Sequence, residues 1–278
     1  MGTQAAGDYN FWAELSDKDR EIAYSPRHGV PDVDDIINGW LTRSAQVAAE
    51  TPPTQIAYGD GPRHKLHVFA LSEPQAPVCF FIHGGYWQSR SPADFYFLGR
   101  ALNEAGFTAI MPGYDLCPDV RLTDICGQVE RAFDTAYERV GKPMLVGGHS
   151  AGGHLTGWLM TRPDNRGRIA AGLPVSGVFE PEPLIGTWIN DKVGMDREEA
   201  ARCSAMRAPE VVACPTRTLV GADESDQFQR QAERWTNKLK DAGADADWIS
   251  ISGCNHFNIL DHVADHATGV WRRVQGGP

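Results

Sequence analysis

The most constraining stretch of this chain is Gly148-His149-Ser150-Ala151-Gly152-Gly153, which directly follows the apolar run Met144-Leu145-Val146. A short buried strand that runs into Gly-x-Ser-x-Gly and then into a helix describes a tight elbow with a serine at its tip. The chain must reverse there within about four residues, and the serine is forced into a strained backbone conformation that lifts its hydroxyl above the sheet edge. Gly148 and Gly152 lie two residues either side of Ser150, where a side chain would collide with the returning helix. Beyond Gly152 the apolar positions recur at helical spacing as far as Met160, so strand, turn and helix are all present.

Around this elbow the pattern alternates. Residues 33–48 put Val33, Ile36, Ile37, Trp40, Leu41, Val47 and Ala48 on one helical stripe, with Asp32 as its N-cap. Two strands at 55–58 and 65–69 are joined through Gly59-Asp60-Gly61-Pro62, a hairpin signal. Further strands are predicted at 78–82, 108–111, 144–146, 173–175, 216–220 and 247–251. Helices are predicted at 93–105, 122–139, after the elbow, at 226–242 and at 262–273. Such alternation needs crossover connections and predicts an α/β fold: a mostly parallel, doubly wound sheet covered on both faces, with an antiparallel N-terminal hairpin. A chain of 278 residues fits one such domain, with an N-terminal helical extension over about 1–50. Between about 180 and 210 the rhythm breaks at Pro181, Pro183, Gly186, Gly194 and Pro209, while Leu184, Ile185, Trp188 and Ile189 could pack downward. That placement suits a small cap inserted over a pocket.

Composition excludes several partners. Apolar residues are 42% and charged residues 22%, ordinary for a globular core, and the net charge of −10 disfavours nucleic acid and anionic membranes. The first twenty residues lack the basic start and apolar stretch of a signal peptide, so a cytoplasmic protein is expected. No apolar run approaches the length of a membrane span. The six cysteines are scattered without Cys-x-x-Cys spacing, which predicts reduced thiols, no disulfide framework and no zinc site. A homodimer is compatible with the sequence but nothing in it specifies one.

A serine at such a tip needs a base, because its hydroxyl is un-ionised at neutral pH. In this architecture the partners follow in the order serine, acid, histidine. Of nine histidines, His256, His262 and His266 lie after the last predicted strand. His256 sits in a loop just past it and can reach across the sheet edge. His262 and His266 are spaced i, i+4, which suits a metal, yet no third ligand is signalled and no metal or other cofactor is expected. The acid should follow the strand at 216–220, where Asp223, Glu224 and Asp226 compete. Spacing from Gly221 favours Glu224, Asp223 is its main rival, and Asp226 reads better as a helix N-cap. The apolar strand ending at Ile82 leads into His83-Gly84-Gly85, whose bare amides, with that of Ala151, can form an oxyanion hole. His83 reads as a structural residue of that loop. A phosphate-cradling loop at 147–153 is rejected, since it lacks both the Lys-Ser/Thr ending and the Gly-x-Gly-x-x-Gly spacing.

Taken together, His83-Gly84-Gly85-Tyr86-Trp87, Gly-Tyr-Asp-Leu-Cys-Pro at 113–118, Gly-His-Ser-Ala-Gly-Gly-His-Leu at 148–155, the segments at 176–184 and 224–231, and Asn-His-Phe-Asn-Ile-Leu at 255–260 resemble the arylformamidase (kynurenine formamidase) branch of the α/β-hydrolases. The resemblance spans roughly residues 20–262. It implies Ser150 as nucleophile, His256 as base and Glu224 as the acid, at a position where many relatives carry aspartate. It further implies hydrolysis of an N-formyl arylamine, N-formylkynurenine or a catabolic analogue, to formate and the free amine. A small formyl group needs little room, whereas the aryl part wants an apolar wall. Tyr86 and Trp87 are candidates for substrate binding and Trp188 a weaker one, although core packing is the ordinary role of each. Arg90 and Arg121 could meet a substrate carboxylate, with surface solvation as the simpler role. A small-acyl carboxylesterase on the same residues is the alternative enzyme, and a non-hydrolytic ligand receptor the alternative from another class.

Overall fold

The apolar strand runs are buried on both faces, and their period of two divides them between two cores. In a computed structural model of the chain, which describes residues 10–277, Phe80 and Ile82 enter one core while Cys79 and Phe81 enter the other. Residues 1–9 of the predicted N-terminal extension lie outside the described residues. The extension begins with α1 (Asp17–Ala23) and α2 (Val33–Glu50), followed by the hairpin β1 (Thr54–Ala57) and β2 (Lys65–Phe69). Next come β3 (Val78–Ile82), α3 (Tyr96–Glu104), β4 (Thr108–Pro112), α4 (Leu122–Val140), β5 (Met144–His149), α5 (Ala151–Met160) and β6 (Ile169–Val175). Two short helices, α6 (Asn190–Val193) and α7 (Arg197–Cys203), precede β7 (Thr216–Gly221), α8 (Asp226–Asp241), β8 (Ala246–Ile251) and α9 (Val263–Val274).

The sheet has eight strands in the order β1-β2-β4-β3-β5-β6-β7-β8. The pairs β1–β2 and β2–β4 are antiparallel, and every later pair is parallel. This is the doubly wound α/β sheet with an antiparallel start that the alternation predicts. One face is covered by α4, α5 and α8, through side chains such as Val129, Phe133, Leu155 and Trp235. The other is covered by α2, α3 and α9, through Ile37, Trp40, Leu102 and Val270.

Three local differences from the sequence reading have identifiable causes. The buried stripe of α2 includes Ser44 and leaves Leu41 exposed. Ser44 can be buried because its hydroxyl donates to the Asp94 carbonyl at 2.9 Å and accepts from the Phe97 amide at 3.3 Å. Strand β6 starts at Ile169, well before residue 173, since its Ala-Ala-Gly start carries little β signal and is held by its neighbours. The N-cap of α8 is Ser225, which accepts from the Phe228 amide; Asp226 is already helical. At the head of α2, Asp32 occupies the cap position without a side-chain cap bond.

The 180–210 segment folds onto the helical face. Leu184, Ile189, Val193 and Cys203 are buried in the first core, and Trp188 remains 44% exposed. Glu199 of α7, fully buried, receives Arg121 and both the amide and hydroxyl of Thr123, pinning α7 to the N-terminus of α4. All six cysteines are free and buried. No helix among the described residues is long and apolar enough to cross a membrane.

The elbow glycines are required by space. A Cβ on Gly152 would sit 2.0 Å from the Ile82 carbonyl oxygen, and one on Gly148 would sit 2.3 Å from that of Gly152. Both obstacles are backbone and cannot rotate away. Gly152→Ala is therefore expected to destabilise the fold by about 2–3 kcal/mol through overpacking. A thermal melt should show a midpoint lower by roughly 5–10 °C; an unchanged midpoint would mean the elbow is looser than this packing requires.

Candidate active site

Strand β5 delivers Ser150 to the C-terminal edge of the sheet at φ 57° and ψ −115°. A non-glycine residue in that region costs about 1–3 kcal/mol, which surrounding contacts have to offset. Here the Ser150 amide donates to the Val175 carbonyl of β6 at 2.8 Å, and the Ser150 carbonyl accepts the first helical bond, from His154, at 3.0 Å. Ser150 is 3% exposed.

The loop after β7 supplies a buried carboxylate. Glu224 and His256 meet through Nδ1–H donating to Oε2 at 2.6 Å, with both side chains nearly buried. The other carboxylate oxygen, Oε1, accepts the Ser176 hydroxyl at 2.5 Å and the Gly221 amide at 2.7 Å. A buried carboxylate is expensive unless its lone pairs are used, and these three donors use them. Asp223, the rival acid, is exposed, and its amide donates to the Cys254 carbonyl at 2.9 Å.

His256 is held on several sides. Its ring lies 4.8 Å from the rings of both His149 and Phe228, and 5.6 Å from Phe257. The loop that carries it is clasped reciprocally: the Asn255 amide donates to Asn258 Oδ1 at 2.7 Å, while Asn255 Oδ1 accepts from Phe257 and Asn258. His149, the residue before Ser150, donates from Nε2 to the His256 carbonyl at 2.8 Å. Burial pushes the His149 pKa well below its usual value, so the ring is neutral, with Nδ1 bare. The elbow and the histidine loop are thus fastened to each other. Among the described residues neither Ser150 Oγ nor His256 Nε2 has a hydrogen bond, so each is free to engage a third group. Catalytic bonds of this kind are often long until substrate binds.

Gly84 abuts the elbow, and a Cβ there would lie 3.1 Å from the Ser150 Cβ. No hydrogen bond among the described residues uses the amides of Gly84, Gly85 or Ala151. His83 anchors that loop: Nδ1 bonds the Gly84 carbonyl at 2.8 Å, and the ring stacks on Tyr114 at 4.2 Å. Burial lowers its pKa to about 3, leaving it neutral.

The aromatic candidates separate. Tyr86 and Trp87 both have positive φ, 48° and 57°, a double left-handed turn that drives the Trp87 indole into the core. There it is fully buried, edge-on to His154 at 5.0 Å, which removes Trp87 from any pocket surface. The Tyr86 hydroxyl donates to the Tyr24 carbonyl at 2.5 Å, tying the glycine loop to the N-terminal segment. Trp188 meets Tyr86 edge-on at 6.3 Å. Arg121 is taken up by Glu199, and Arg90 is a turn residue at φ 76° whose carbonyl accepts from Arg63.

A cavity of about 240 Å³ opens beside His256 and Glu224. Its walls include Ser225 and Phe228 at the start of α8 and, unforeseen in the sequence, residues in the stretch from Ile22 to Val30. Ser176 was also missed; its one local signal is a small polar residue closing an apolar strand. No group of three or more His, Cys, Asp or Glu placed to hold a metal ion occurs among the described residues.

Residues 79–260 match the sequence profile of a family described by its alpha/beta hydrolase fold, and the chain belongs to that family. Within it, the chain is 27% identical to the kynurenine formamidase of Danio rerio over 275 residues, covering 91% of this chain and 94% of that one. It is 25% identical to the kynurenine formamidase of Salmo salar over 291 residues, covering 95% and 98%. These similarities, with a third in Drosophila melanogaster, support the arylformamidase branch and an arylformamidase-like hydrolase. Among solved structures, one from Silicibacter sp. tm1040, described as a candidate thioesterase, superposes with a TM-score of 0.82 at 26% identity, covering 89% of this chain and 97% of that one. An esterase from Pyrobaculum calidifontis superposes at 0.67 with 18% identity over 88% of this chain and 94% of its own, a likeness of fold alone.

Proposed function

We propose that the protein hydrolyses N-formyl arylamines, of which N-formylkynurenine is the leading case, through a formyl-serine intermediate. The observation that carries this reading is the buried His256–Glu224 contact fastened beside the Ser150 elbow. His256 Nε2 removes the Ser150 proton as Oγ attacks the formyl carbon. The developing oxyanion is held by the amides of Ala151 and of Gly84 or Gly85. His256 then returns the proton to the departing nitrogen, and the C–N bond breaks. An aniline leaves more readily than an alkyl amine, so a triad of esterase type is adequate. Water, deprotonated by His256, attacks the formyl ester and releases formate. Glu224 keeps the imidazole in the productive tautomer and stabilises it when protonated.

The test is a panel on purified protein: N-formylkynurenine and formanilide beside p-nitrophenyl acetate. Formamides are expected to be hydrolysed with kcat/KM of about 10⁴ M⁻¹s⁻¹ or more for the preferred one. Rapid ester turnover with no activity on any formamide would transfer the assignment to a small-acyl carboxylesterase.

A further inference from the structure

We propose that the N-terminal strap, residues 22–30, is the wall that holds the leaving group and sets which arylamines are accepted. The inference rests on the formamidase reading for its substrate and on the cavity for its geometry. Three side-chain hydrogen bonds tie the start of the strap to neighbours of the site, and Arg20 just before it is anchored separately. The Ser225 hydroxyl, next to Glu224, donates to the Ala23 carbonyl at 2.5 Å, and the Tyr86 hydroxyl, next to the glycine loop, donates to the Tyr24 carbonyl. Gln231 of α8 donates to the Tyr24 hydroxyl at 3.2 Å, and Arg20 reaches the carbonyls of Pro183 and Ile185. Tyr24 is fully buried, with its ring 5.9 Å from Phe228. At the far end Val33 of α2 is sunk in the second core. The strap therefore spans from the acid loop and glycine loop to α2, and its middle lines the cavity.

The lining has a direction. Val30 and Phe228 are buried apolar surface near His256, whereas His28 and Asp223 are exposed. A volume of about 240 Å³ suits one aromatic ring with a short substituent, below the usual range for larger ligands. The class selected is a monocyclic arylamine whose polar substituent faces His28 and Asp223.

Ser25 reports on this wall, since its half-buried side chain makes no hydrogen bond among the described residues. The measurement is the ratio of kcat/KM for formanilide to that for N-formyl-1-naphthylamine. Ser25→Leu should raise the ratio tenfold or more by filling the cavity, and Ser25→Gly should lower it by widening the cavity. Opposite shifts from opposite changes in volume are not produced by a general loss of structure. Equal effects on both substrates, or an unmoved ratio, would overturn the proposal. If the wild-type protein cleaves no formamide, the same ratio is read with phenyl and 1-naphthyl acetate, so the two readings fail separately.

Discussion

Ser150→Ala is expected to lower kcat on an aryl formamide by about 10⁴-fold or more, the scale seen when a serine nucleophile is deleted. Alanine meets the same strain at φ 57° as serine, and every backbone bond of the elbow remains available. The fold should therefore survive, with an unchanged melting midpoint as the control. Nearby hydroxyls offer no substitute, because Ser176 is committed to Glu224 and Ser225 to the Ala23 carbonyl. The residual rate should still exceed that in water, since the amides of Gly84, Gly85 and Ala151 are untouched. Turnover near the wild-type level in a folded variant would end the case for a covalent intermediate at this serine.

Glu224→Gln should reduce kcat by about 10³–10⁴-fold, because an amide in place of the carboxylate favours the wrong imidazole tautomer and cannot stabilise the imidazolium. Asp223→Asn should lower kcat far less than Glu224→Gln, since that side chain is exposed and makes no hydrogen bond or ion pair with His256; as part of the cavity wall its effect should fall on KM. The reverse ranking would move the acid to Asp223. Ser176→Ala separates support from chemistry. It removes one of the two donors on Oε1 and leaves the Gly221 amide in place. A loss in kcat of roughly tenfold with KM unchanged is the mark of a positioning residue; a matching rise in KM would instead point to a distorted pocket.

Glutamate at position 224 has a structural reason. The carboxylate must reach His256 with one oxygen while the other is clasped from β6 and β7. Ser176, itself at φ 48°, follows the end of β6 and donates from there to Glu224. The ends of parallel strands β5, β6 and β7 thus carry Ser150, Ser176 and Glu224 to the same edge of the sheet.

Much of this was legible in the residues because it depends on local physics. The apolar runs at β3 and β5 alternate between two cores, so each had to be a strand buried on both faces. Gly148 and Gly152 announce a close approach that any side chain would block. The order of Ser150, Glu224 and His256 along the chain follows from the order of the strands that carry them. Tyr86 and Trp87 show where this reasoning stops. Both are aromatic and sit beside the glycine loop, yet a double left-handed turn buries the indole and sends the phenol to the N-terminal strap.

What the sequence determined alone is the elbow with Ser150 at its tip and the doubly wound sheet, because steric exclusion and hydrophobic period act over a few residues. Only the tertiary structure decided which carboxylate reaches His256, that Ser176 holds it, and that residues from Ile22 to Val30 wall the cavity. Those contacts join segments up to about two hundred residues apart, as in the bond from Ser225 to the Ala23 carbonyl. Partners so distant leave no periodic trace; they are selected by how the packed elements place their ends in space.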